Sequence, residues 1–101
     1  MKVKSFDHYL ATRLNDNEIK QIEQAAQLEF ETLQVLKADI SKAVIHYMDI
    51  NSIGFNDVVR KLGKSPSQVS KIIKGEANLT LATIAQIFAM MGQKPRISTQ
   101  T

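Results

Sequence analysis

Cysteine is missing from this sequence, proline occurs twice, glycine four times, and no long apolar run appears anywhere. Without cysteine there are no disulfides, no thiolate nucleophile and no cysteine-ligated zinc, although that absence alone does not assign a compartment. No stretch approaches the roughly 18 apolar residues of a membrane span. The opening residues Met1 to His8 lack the apolar run of a signal peptide. A soluble, cytoplasmic chain with no membrane partner is therefore expected. Histidine is scarce too. His8 and His46 stand far apart in sequence with no ordered acid cluster beside either. Glu29 and Glu31 are two residues apart, on different sides of a helix, and cannot work as a pair. No catalytic residue, metal site or cofactor is expected.

What is present suits one domain. The chain has 101 residues, 44% hydrophobic and 23% charged, which allows a single modest core and argues against wholesale disorder. The net charge of +3 conceals a division. Residues 1–52 carry six Lys/Arg against eight Asp/Glu, a net of −2, and residues 53–101 carry seven against two, a net of +5. From Val58 to Gly75 the charged residues are Arg60, Lys61, Lys64, Lys71 and Lys74, with no acid among them. Charge gathered in one segment suits a polyanion better than evenly mixed charge does.

Hydrophobic spacing reads as helix throughout. Phe6, Leu10 and Leu14 recur every four residues, with Tyr9 and Arg13 beside them, and suggest a short amphipathic helix. Asn15, Asp16 and Asn17 offer a break and a helix cap. From Glu18 to about Tyr47 there is neither glycine nor proline. Ile19, Ile22, Ala26, Phe30, Leu33, Leu36, Ile40, Val44 and Tyr47 recur there at three- or four-residue intervals. That stretch reads as one long helix or as two joined within it. Asp49 to Gly54 reads as a turn. Three short helices follow, Phe55–Leu62, Pro66–Lys74 and Leu81–Met91, each stopped by a glycine where a left-handed cap belongs. Met90 and Met91 suit a core. The polar tail 93–101 admits a short strand around Arg96 and Ile97, limited by Pro95, which has no amide to donate.

The stretch from Phe55 to Gly75 carries the functional information. Val58, Val59 and Leu62 give its first helix an apolar face, and Gly63 permits a sharp reversal. Ser65, Pro66 and Gln68 then form a capping box with proline in its favoured first position. In the second helix Val69, Ile72 and Ile73 face inward. Ser67, Ser70, Lys71 and Lys74 share one polar face with no carboxylate to repel phosphate. Lysine donates to guanine edges and serine to several base edges or to phosphate. The bland reading is a three-helix packing unit whose lysines only keep it wetted. An RNA role finds no aromatic platform in the basic half beyond Phe55 and Phe88.

Leu62, Gly63, Val69, Ile72 and Gly75 fill the places of a motif, and from Gly54 to Gly92 the chain resembles the Cro/lambda-repressor-like (XRE) helix-turn-helix family. The resemblance implies an all-α, lambda-repressor-like bundle over residues 38–92. It implies further that residues 1–37 are a helical N-terminal extension, for dimerisation or for toxin binding, and residues 93–101 a tail that admits that short strand. By position in the family's motif, Pro66, Ser67 and Lys71 fall where bases are read. Because proline offers no side-chain donor, base reading is assigned to Ser67, Gln68 and Lys71. Backbone contacts are assigned to Lys64, Ser65, Ser70, Lys74, Asn78 and Thr80. Two positions depart from the pattern. Phe55 stands where a phosphate-touching glutamine is usual, and Val59 where a small alanine lets helices approach closely.

The acidic, helical N-terminal half and the ending Gly92-Gln93-Lys94-Pro95-Arg96-Ile97 resemble the HigA-type antitoxins of toxin–antitoxin modules. That resemblance implies a bacterial, nucleoid-associated repressor. It would act as a homodimer on a palindromic operator, autoregulate its operon and neutralise a ribonuclease toxin. Toxin contacts would fall on the stripe Phe6, Tyr9, Leu10 and Leu14. The alternatives are a stand-alone XRE-family or phage-type regulator and an interaction module that does not bind DNA. In the bland version of the first half, Phe6, Leu10, Ile19 and Ile22 only cover the domain's own core.

Overall fold

The computed structural model describes residues 15–99, and these are all-α, with four helices and no strand among them. Helix α1 (Asp16–Asn51) is a single continuous helix of 36 residues. It begins where Asn15 accepts a hydrogen bond from the Glu18 amide at 2.7 Å, a side-chain cap on an otherwise unpaired donor. The absence of glycine and proline lets it run unbroken, so the one-helix reading of this stretch holds. It also continues to Asn51 rather than ending before Asp49. The turn is confined to residues 52–54, where Ser52 takes a positive φ of 53°.

Helices α2 (Phe55–Leu62), α3 (Pro66–Lys74) and α4 (Leu81–Met90) follow at short intervals. Gly63 and Gly75 end α2 and α3 with φ of 66° and 73°, values that an L side chain rarely adopts. Helix α4 is capped by Thr80, whose hydroxyl accepts from the Thr83 amide at 3.1 Å.

The chain divides into two compact units, Met1–Leu33 and Gln34–Thr101. In the second unit Val44 of α1, Ile72 of α3, and Ile87, Phe88 and Met91 of the last helix and its end form the core cluster. Ile40, Ala43, Tyr47, Met48 and Leu62 pack around it. Val58 and Val69, one on each side of the Gly63 turn, are also fully buried. Val59 is half-buried. Met90 and Met91 do serve the core.

In the first unit the described residues 16–33 are helical throughout. Their apolar stripe is largely open: Ile22 is 50% exposed, Phe30 59% and Leu33 41%, with only Ile19 half-buried. Periodicity therefore located a helical face, and Ile22 does not spend that face on a core. Phe6, Tyr9, Leu10 and Leu14 lie outside the described residues.

The short strand expected around Arg96 and Ile97 is absent. Residues 93–99 form no regular structure, and Ile97 is 83% exposed. A strand needs a neighbour to take its amides and carbonyls, and no other described segment is extended to provide one. Among the described residues, no helix is long and apolar enough to cross a membrane.

Burial makes the two units respond differently to truncation. Ile87→Ala should lower the unfolding free energy by about 2–5 kcal/mol, whereas Ile22→Ala should stay within about 0.5 kcal/mol. Urea unfolding of the two variants measures both. Equal losses would mean that the Ile22 face is covered in solution.

Candidate nucleic-acid interface

The candidate surface is built by the caps of α3. Ser65 stands before the helix and its hydroxyl accepts from the Gln68 amide at 3.2 Å. The Gln68 side chain reaches back, its Oε1 accepting from the Ser65 amide at 3.1 Å and from the Ser65 hydroxyl at 3.3 Å. Two otherwise orphaned donors are satisfied reciprocally, so this end of the helix has a defined backbone. Pro66 fills the first turn without wasting an amide.

The outward face of α3 then carries Ser67, Lys71 and Lys74, all exposed, with Ser70 half-buried beside them. Lys71, with Lys64 and Gln68, also lines a cleft of about 360 Å³ whose other wall is the approach to α4: Asn78, Leu79, Thr80 and Thr83. Of the nine residues named by sequence for DNA contact, five therefore share one concavity: Lys64, Gln68, Lys71, Asn78 and Thr80. Ser67, Ser70 and Lys74 stand on the same helix without lining it. Glu76 does line it, and its carboxylate opposes an anion there. The sequence puts Glu76 just after the acid-free run Val58–Gly75 but does not show that it shares a cleft with Lys64 and Lys71.

Local bonding redistributes the sequence-level roles. Gln68 has its carbonyl oxygen held by Ser65, which leaves its amide group as the free part. A glutamine that pairs bidentately with adenine needs both groups, so in this arrangement Gln68 can only donate. The Ser65 hydroxyl is likewise occupied by the cap. Thr80 donates to the Thr83 hydroxyl at 3.0 Å while capping α4. In α2, Arg60 is bound to Asp57, whose carboxylate also accepts from the Gly54 amide at 3.0 Å. Among the described residues, the cations near α3 without an ion-pair partner are accordingly the lysines, Lys61, Lys64, Lys71 and Lys74. Phe55 is 36% exposed at the start of α2 and carries no group that could hold a phosphate.

Compared with known protein families, curated proteins and solved structures, the chain has no match.

The reciprocal cap gives a sharp expectation. Ser65→Ala should cost about 1 kcal/mol of stability. Gln68→Ala should cost less when Ser65 is already gone, because the two groups serve one motif. A double-mutant cycle by chemical unfolding measures this, and strictly additive losses would count against a working capping box.

Proposed function

We propose that this chain is a sequence-specific DNA-binding repressor of the Cro/lambda-repressor-like kind, acting as a homodimer through α2, the Gly63 turn and α3. The observation that carries the reading is the outward face of α3, where Ser67, Lys71 and Lys74 stand exposed without a carboxylate on a helix whose ends are both capped. Such a helix matches the width of the major groove. Lys71 and Ser67 act as base readers, with Gln68 donating beside them. Lys64 and Lys74 hold phosphates, helped by Asn78 and the amides at the start of α4.

A dimer follows from reach, since one short helix covers only a few base pairs. Two helices related by a twofold address half-sites about 34 Å apart on a palindromic operator.

A second reading adds a protein partner, and one observation favours it. Residues 16–33 hold five acids (Asp16, Glu18, Glu23, Glu29 and Glu31) against the single Lys20, a net of −4. They also display Ile22, Phe30 and Leu33 to solvent. An apolar stripe among carboxylates suits a basic, partly apolar protein surface. With the HigA-like order of the chain, that makes antitoxin the form of repressor favoured here. Cytoplasmic placement belongs to the same proposal.

Binding to the DNA upstream of its own gene, against a scrambled duplex across a salt series, tests the repressor. Lys74→Ala should make the slope of log K against log salt shallower by about one contact. Lys71→Ala should instead reduce discrimination by roughly 1–3 kcal/mol. Equal, weak binding of the wild-type chain to both duplexes would favour the packing-unit reading and make the N-terminal half the place to look for function.

The partner reading is tested by co-expression with the product of the adjoining reading frame. A Phe30→Asp, Leu33→Asp chain should lose that product while keeping its DNA affinity. Retention of the product by this variant removes the stripe from the interface.

A further inference from the structure

The end of α3 opposite its capping box is closed in a different manner. Its last carbonyls have no intrahelical amides to receive. The Glu76 amide takes the Lys71 carbonyl at 2.9 Å and the Gly75 amide takes the Ile72 carbonyl at 3.1 Å, the paired bonds of a Schellman ending. The Ile73 carbonyl is satisfied from elsewhere in the chain, by the Ser41 hydroxyl of α1. Ser41 is the one buried polar side chain among the described residues. Its bond spans 32 positions, whereas every other side-chain hydrogen bond described spans three or four. Two residues further on, a β-carbon at Gly75 would lie 3.7 Å from the Lys37 carbonyl oxygen and 3.9 Å from the Ala38 α-carbon. A single turn of α1, Lys37 to Ser41, thus holds the end of α3.

We infer that Ser41 is a positioning residue that sets the orientation of α3 for base readout. This rests on the DNA-binding reading above. The capping box fixes the backbone of α3 within itself but not its direction relative to the other helices. Burial of Val69 and Ile72 holds it in place without specifying rotation, because apolar contact is non-directional. The Ser41 bond is directional and acts from a different helix. Base edges are read by short side chains at defined positions, while long lysines reach phosphate over a wider range. Releasing the Ile73 carbonyl should therefore reduce discrimination and leave the number of phosphate contacts alone.

The test uses the full chain with Ser41→Ala and Ser41→Thr, each at a temperature where circular dichroism shows it folded. Affinity for the upstream duplex and for a scrambled duplex is measured across salt, with amide hydrogen exchange of α3 read in free protein. In Ser41→Ala the ratio of the two affinities should fall about three- to tenfold, the scale of one lost hydrogen bond. The salt slope should stay unchanged and the amides at the end of α3 should exchange faster. Ser41→Thr retains the hydroxyl and should restore the ratio.

An unchanged ratio in Ser41→Ala, beside a discriminating wild type, overturns this role and leaves Ser41 a structural cap. Equal loss in Ser41→Ala and Ser41→Thr assigns the effect to packing and overturns it as well. A wild type that does not discriminate overturns the DNA reading itself, and this role with it.

Discussion

A helix of eight to ten residues does not hold its shape in water, because nucleating it costs more than so few hydrogen bonds return. Isolated helices need about 12–15 residues even to be marginal. Helices α2, α3 and α4 have eight, nine and ten. Their persistence rests on burying Val58, Val69, Ile72, Ile87 and Phe88, together with Val44 from α1. The second half of α1 is the long element among them, and the core residues it supplies, Ile40, Val44 and Tyr47, recur at helical spacing along it. Everything the candidate surface offers depends on that shared burial, since no side chain on α3 could be aimed from a helix that was not formed.

Burial also separates what is fixed from what is free. The groups that define the ends of α3, Ser65, Gln68, Gly75 and Ser41, are committed to hydrogen bonds or to a special backbone angle. The groups that face outward, Ser67, Lys71 and Lys74, are bound to nothing within the described chain. Arg60 shows the contrast, because it is as basic as any of them yet already has Asp57. Counting cations along a segment overstates what is available to an anion. The carboxylate of Glu76 at the edge of the cleft reduces it further.

Much of this was legible in the sequence, for reasons that can be stated residue by residue. The bounds of α2 and α3 are those read from Gly63, Ser65, Pro66, Gln68 and Gly75, because caps and left-handed glycines act on neighbours within a few positions. The helical character of residues 18–47 followed from spacing for the same reason. Whether its stripe is covered did not follow, since Ile22 and Val44 belong to one periodic pattern and differ only in what lies against them. The strand that the tail admits around Arg96 and Ile97 does not form within this chain on that ground: a strand is a pairing, and no partner exists among the described residues. Ser41 left no local trace at all. A serine within a helical polar pattern looks like any other until the carbonyl it serves, 32 positions away, is brought beside it.

The separation between local and distant bonds has a consequence for how quickly the fold is reached. Among the described residues, side-chain hydrogen bonds other than that of Ser41 span three or four positions and caps form within single turns, so most native contacts there require no long loop to close. Chains of this low contact order cross their folding barriers in microseconds to milliseconds. The Ser41 bond is the exception, because it requires α1 and α3 to have met. It therefore forms only together with the shared burial that lets so short a helix persist, and not within α3 alone.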